Sequence, residues 1–269
     1  MIKLNDKFRG LLKGIMEVRR FGWIIMLLAG AALMISAIAA KEAKLIEQIV
    51  TTVTPLQGGE ILLTDAEVMK VLELSFTKPL ESIFLADVDV RRVESILKDH
   101  PLVADADAYI DADLGLHVNI TQRNPLLRVI ANNGQNYYLD DQGIRMPLSE
   151  SYTARVLVAS GNIVPWSNDY KERESHQLKD LFAIAELLKQ DEFLDALVEQ
   201  VYINNAGEMV LAPKVGDQVI FIGRYDTEKT PERLARLKVF YEKGLPYEGW
   251  RKYKSFDLRY ADQVVCKKT

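Results

Sequence analysis

Between Phe21 and Ala40 the chain runs for twenty residues without a charged side chain, and this run constrains everything after it. As an α-helix rising ~1.5 Å per residue it reaches ~30 Å, the thickness of a bilayer's hydrocarbon layer. A helix buried in a soluble domain keeps a polar face, so a uniformly apolar one of this length points to lipid. Arg19 and Arg20 stand at one end with Trp23 just inside, where an indole favours the interface, and Lys41 and Lys44 close the other end beside Glu42 and Glu47. Residues 1–20 carry Lys3, Lys7, Arg9, Lys13, Arg19 and Arg20 against Asp6 and Glu17, a net +4, so a whole-chain charge of -4 leaves -8 for the rest. Positive charge collects on the cytoplasmic side. The expectation is a basic cytoplasmic tail over 1–20, a single transmembrane helix over 21–40 and an extracytoplasmic body. Ala37-Ile38-Ala39 has the small-x-small form that signal peptidase reads. The apolar run nevertheless exceeds the usual ~7–15 residues of a signal sequence, which favours a retained anchor.

The body is long enough for two domains, each with its own core. Its acidic balance gives no basic face for nucleic acid. Cys266 is the single cysteine, so no intramolecular disulfide is possible.

Lys41 to Gln48 continues the helix out of the membrane. Ile49–Val53 and Ile61–Leu63 are short β-prone runs around the turn-formers Pro55 and Gly58-Gly59. Thr64-Asp65-Ala66-Glu67 is a capping box that opens a helix with Val68, Val71 and Leu72 on one face. A second helix starts near Asp89, carries Val93, Ile96 and Leu97, and stops at His100-Pro101. Two strands follow with period-2 alternation. Ala104, Ala106, Ala108, Ile110 and Ala112 oppose Asp105, Asp107, Tyr109, Asp111 and Asp113 in the first; Leu116, Val118 and Ile120 alternate with His117, Asn119 and Thr121 in the second. Leu114-Gly115 joins them. Strand, helix, helix, strand, strand is a small α+β module over 41–124.

Residues 125–269 read as a second module, a mixed, mostly antiparallel sheet with packed helices. Tyr137–Leu139 and Ile144–Met146 flank the turn Asp140-Asp141-Gln142-Gly143. Arg155–Ala159 is a strand ended by Gly161 and Pro165. Leu178, Leu181, Phe182, Ala185 and Leu188 mark an amphipathic helix. Strands over Gln200–Ile203, Glu208–Leu211 and Gln218–Ile222 follow, then a helix with Thr230 as cap and Pro231 in its first turn. An alternating run from Ser255 precedes a last strand, Gln263–Cys266.

Catalytic machinery is not visible. The sequence has no Gly-rich phosphate loop, no Gly-x-Ser-x-Gly, no His-Glu-x-x-His and no cysteine pair for a metal, and it implies no cofactor. His100, His117 and His176 are scattered. Asp105, Asp107, Asp111 and Asp113 lack the glycine and distal glutamate of a calcium loop and read as a solvated acidic face. Cys266 reads as a packing residue, with Lys267 and Lys268 as neighbours able to lower its pKa. Trp166, Trp250, Phe240, Tyr241, Tyr247, Tyr253 and Phe256 read as core at helix–sheet junctions, with a sugar- or peptide-binding surface as the alternative.

Several motifs resemble the bacterial cell-division family FtsQ, called DivIB in Gram-positive bacteria. Arg91–Pro125 is similar to the second half of that family's polypeptide-transport-associated (POTRA) domain. Its closing motif reads Gln122-Arg123-Asn124-Pro125 here, with Gln where the family prefers Glu. Tyr138–Gly143 is similar to the Asp-x-x-Gly turn that opens the family's β-domain. Gly223-Arg224-Tyr225-Asp226, then Arg233-Leu234-Ala235-Arg236, then Phe256-Asp257-Leu258-Arg259-Tyr260 resemble its C-terminal signature.

The resemblance implies a non-enzymatic divisome scaffold at the septum of the cell (inner) membrane, working with other divisome membrane proteins. It implies FtsB-like and FtsL-like partners, an FtsB-like segment adding as an extra strand at the C-terminal sheet edge. The family's partner-contacting Arg and Tyr map onto Arg259 and Tyr260, and the positions after them onto Asp262, Gln263, Val264 and Val265; the alternative is that Arg259 is an ordinary exposed strand charge and Tyr260 a core residue. A last strand near the C-terminus would offer unpaired backbone groups for such an addition. The competing class is a signal-anchored envelope enzyme or ligand-binding protein, which needs a pocket with convergent polar groups. Other POTRA-bearing proteins carry a long β-barrel, for which the 125–269 segment is too short.

Overall fold

The computed structural model describes residues 22–24, 26–38, 44–56, 58–76, 82–84 and 87–268. Contacts gather them into two compact units. One comprises the described residues of Met1–Thr52, Met69–Ile96 and Asp107–Asn119; the other comprises those of Val53–Val68, Leu97–Ala106 and Ile120–Thr269.

Residues 22–24 and 26–38 are helical and exposed throughout, Met26 by 79% and Leu33 by 72%. Among the described residues no helix is long and apolar enough to cross a membrane. The described part of the helix expected over 21–40 is shorter than the ~20 residues a bilayer needs. Residues 21, 25, 39 and 40, and the tail 1–20, lie outside the described residues. The helix expected to run on over 41–48 is not present at 44–48, and residues 41–43 lie outside the described residues. Leu45 forms an isolated antiparallel bridge with Phe84, and Gln48 opens a strand.

The elements β1 (Gln48–Thr54), α1 (Asp65–Ser75), α2 (Val90–Lys98), β2 (Val103–Ile110) and β3 (Gly115–Gln122) follow the expected order. Their strands form a three-stranded sheet ordered β1-β3-β2. The capping box is made: Thr64 N–H donates to Glu67 Oε2 at 2.7 Å, and Glu67 N–H to Thr64 Oγ1 at 3.3 Å. Val68, Leu72, Val93, Leu116, Val118 and Ile120 are fully buried, as their spacing predicts.

Two local expectations change. Ile61–Leu63 is not a strand. The Leu62 and Leu63 N–H groups donate to Gln122 Oε1 at 2.5 and 3.1 Å, and Gln122 Nε2 donates to the Thr54 carbonyl at 2.8 Å, so one buried side chain supplies what a neighbouring strand would. Asp111 leaves the solvated acidic face. Its Oδ1 accepts from Gly115 and Asp113 N–H at 2.8 and 2.9 Å, and its Oδ2 lies 2.7 Å from His117 Nε2. The carboxylate braces a turn in which Leu114 takes φ 67, an uncommon value for a branched side chain.

The C-terminal elements are β4 (Pro125–Ala131), β5 (Asn136–Asp140), β6 (Arg145–Met146), β7 (Leu157–Gly161), α3 (Gln177–Gln190), α4 (Glu192–Leu197), β8 (Val198–Ile203), β9 (Met209–Pro213) and β10 (Val219–Gly223). They continue with α5 (Lys229–Val239), a π-helical turn (Phe240–Gly244), α6 (Leu245–Glu248), β11 (Tyr253–Asp257) and β12 (Val265–Lys268). The strands build one nine-stranded sheet ordered β12-β11-β10-β9-β8-β7-β4-β5-β6. Pairings β4–β7, β7–β8 and β10–β11 are parallel and the others antiparallel, so the mixed, mostly antiparallel sheet is as expected.

Leu178, Leu181 and Leu188 of α3, Leu194 of α4, and Leu234 and Leu237 of α5 share one core with Leu127, Val201, Leu211, Ile220 and Phe256 of the sheet. The start of α5 differs in one respect. Asp226 caps it, its Oδ1 accepting from Glu228 and Lys229 N–H at 3.0 and 2.9 Å, while the expected cap Thr230 accepts from Asp226 N–H at 3.0 Å. The carboxylate reaches two first-turn amides, whereas the hydroxyl, already inside the first turn, reaches only the amide of Asp226.

Candidate partner-docking edge

β12 ends the sheet order and pairs only with β11, with Val265 opposite Asp257, Cys266 opposite Phe256, Lys267 opposite Ser255 and Lys268 opposite Tyr253. Among the described residues no strand lies on its other side. Backbone groups along that rim are open to a further strand. The strand itself starts two residues later than expected. Asp262 takes φ 56 in the turn leaving β11, and Gln263 and Val264 form the approach to β12 and not its body.

The proposed contact residues differ in their surroundings. Tyr260 is 51% exposed, so it is a surface residue and not core. Asp262 and Gln263 are exposed, and Val265 is 44% exposed. Val264 and Cys266 are half-buried and pack against the hydrophobic core. Burial pushes the Cys266 thiol up, with Glu248 adding to it, so the flanking lysines do not activate it.

Arg259 is engaged within its own chain. Its Nε and Nη2 donate to Asp257 Oδ1 and Oδ2 at 3.0 and 2.7 Å, a bidentate fork. Its Nη1 donates to Glu208 Oε1 at 3.1 Å, and the guanidinium lies 5.4 Å from the Phe221 ring centroid. Hydrogen bonds from Arg259 hold the Asp257 carboxyl below its ordinary value; the Asn204 amide, and then Arg259, do the same for Glu208. Gly223 makes room for the arginine stem. It has φ 87, and a Cβ there would stand 3.1 Å from Arg259 Cγ. Glu208 carried no signal in the sequence, since its partner lies 51 residues away along the chain.

The other signature residues also support this segment. Arg236 Nη2 donates to the Leu258 carbonyl at 3.2 Å, and Arg233 Nη1 to the Ile222 carbonyl at 2.9 Å. Phe240, Tyr241 and Tyr253 meet Phe256 edge-on, consistent with the core reading of those aromatics. Tyr247 and Trp250 depart from it, being 90% and 54% exposed.

Among the described residues no group of three His, Cys, Asp or Glu side chains is placed to hold a metal ion. A cavity of about 790 Å³ opens at the amino ends of β4, β7 and β8, lined by Arg128, Arg155, Lys189, Asp195, Glu199 and Lys214 among others. Lys189 is spent on Asp195 at 3.1 Å, and Lys214 donates to the Asp195 carbonyl at 2.6 Å.

A family model described as FtsQ/DivIB, C-terminal related, matches residues 124–267, from the residue before β4 to the third residue of β12. The chain belongs to the FtsQ/DivIB C-terminal related family. The match covers the segment that builds the nine-stranded sheet except for the last residue of β12. Membership gives the chain a cell-division role, in a family of non-enzymatic, division-associated membrane proteins. No curated protein matches the chain.

Proposed function

We propose that this chain is a non-enzymatic divisome scaffold that captures an FtsB-like protein, together with its FtsL-like mate, by strand addition along β12. A tail over 1–20 lies in the cytoplasm, 21–40 anchors the chain in the membrane, 41–124 forms a POTRA-like domain, and 125–269 forms the β-domain that docks the partner. The observation that carries the proposal is the one-sided pairing of β12, one of the two strands that end the sheet and the one beside Tyr260. An incoming strand gains main-chain hydrogen bonds there, and Tyr260, Asp262, Gln263, Val264 and Val265 supply side-chain selectivity beside it. The exposed Tyr260 ring offers an aromatic anchor of the kind that dominates interface energies. Arg259 contributes through its clasp on Asp257 and Glu208. The membrane anchor is supported by the uniformly exposed apolar side chains described between 22 and 38, and the POTRA-like domain by the element order β1-α1-α2-β2-β3.

Capture of the FtsB-like and FtsL-like pair by the full chain in mild detergent tests the proposal. Tyr260→Ala and Val264→Asp are each expected to weaken capture by at least tenfold, equivalent to about 1.4 kcal/mol. Capture that survives both changes while thermal unfolding stays normal removes β12 as the docking edge.

A further inference from the structure

Arg259 stands beside the open edge, yet its donors are directed inward. The fork on Asp257 fixes the last residue of β11, and the Nη1 bond to Glu208 ties that fork to the hairpin between β8 and β9. Glu208 is itself held. Asn204 Nδ2 donates to Glu208 Oε2 at 3.0 Å, while Asn204 Oδ1 accepts from Glu208 and Ala206 N–H at 2.9 Å each. The far side of the segment is fixed as well, Leu258 N–H donating to the Phe221 carbonyl at 3.0 Å and the Leu258 carbonyl accepting from Arg236 at 3.2 Å. From a rigid turn the connection therefore runs Asn204, Glu208, Arg259, Asp257, and ends at the stretch that carries Tyr260 and leads into β12.

We propose that Glu208 is a positioning residue for the docking edge: its carboxylate, acting through Arg259 and Asp257, holds residues 258–264 in the conformation that presents Tyr260 and the β12 rim to a partner strand. The inference rests on the docking proposal for its purpose, but the clasp stands or falls on its own. A pre-formed edge spares the partner the ordering cost of an otherwise free connection between β11 and β12. The three groups share one network, so removing the carboxylate loosens the arginine without emptying any part of the core.

The test uses the full chain in mild detergent with Glu208→Ala and, separately, Glu208→Gln, which retains an acceptor oxygen. Deuterium uptake over 257–266 and capture of the FtsB-like and FtsL-like pair are both measured. Glu208→Ala is expected to speed uptake over 257–266 by about tenfold and to weaken capture by a similar factor, with Glu208→Gln recovering part of each. Uptake across β4 and β5 is expected to stay at the unmodified level. Unchanged uptake over 257–266 overturns the proposal, whatever capture does. Altered uptake in a chain whose unmodified form captures nothing upholds the clasp and sinks the docking proposal instead.

Discussion

At the scale of single residues, the motifs that resemble the family prove to be one another's partners. Arg123 and Asp140 come from two separate sequence motifs, and in the structure Arg123 Nη1 lies 3.0 Å from Asp140 Oδ2. Asp140 is 1% exposed, and its Oδ1 also accepts from Gln142 and Ile144 N–H at 3.0 and 2.7 Å. Asp140→Ala therefore leaves a mostly buried guanidinium and two turn amides without acceptors. Such losses cost about 3–5 kcal/mol. Urea unfolding of the full chain in mild detergent measures it, and a loss below ~1 kcal/mol would mean that water replaces the carboxylate. Gln122 has a similar logic. Its amide accepts from two backbone N–H groups and donates to the Thr54 carbonyl, and a glutamate there, as the family prefers, would have no proton for that carbonyl when ionised. Residue type was readable at these positions, but pairing across the sequence was not.

At the scale of elements, periodicity located most helices and strands, and the departures have specific causes. β4 is a central strand with apolar residues on both faces, Leu126 and Ile130 on one and Leu127 and Val129 on the other, with only Arg128 between them, so no clean alternation marks it in the sequence. β12 starts late because the positive φ at Asp262 forms the turn first. The α5 cap moved from Thr230 to Asp226 because a carboxylate four residues earlier reaches the free amides. Asp226→Ala is expected to cost about 1 kcal/mol, a fall in melting temperature of about 2–4 °C. Thr230→Val, which keeps the buried volume and loses only the bond from Asp226 N–H, is expected to lower it less. Calorimetry on the two variants ranks them, and the reverse order would restore Thr230 as the cap.

At the scale of the whole molecule, the proposed scaffold needs both an anchor and an edge. Deleting residues 1–40 is expected to move the chain from the membrane fraction to the soluble fraction and to abolish its accumulation at midcell, as fractionation and fluorescence of a tagged chain would show. A truncated chain that still sediments with membranes would place the anchor elsewhere. The sequence by itself determined the apolar run, the charge asymmetry across it, the alternation that makes strands and the family motifs, because each depends on side chains close together in the chain. An open edge at the last strand was an expectation from the family resemblance, but where β12 starts and what flanks it, where Tyr260 sits and what Arg259 holds were decided by the tertiary structure. Strand order and ion pairing join residues far apart in sequence, and the same alternating pattern suits a central strand with one buried face as well as an edge. Only the folded sheet leaves β12 with a neighbour on one side.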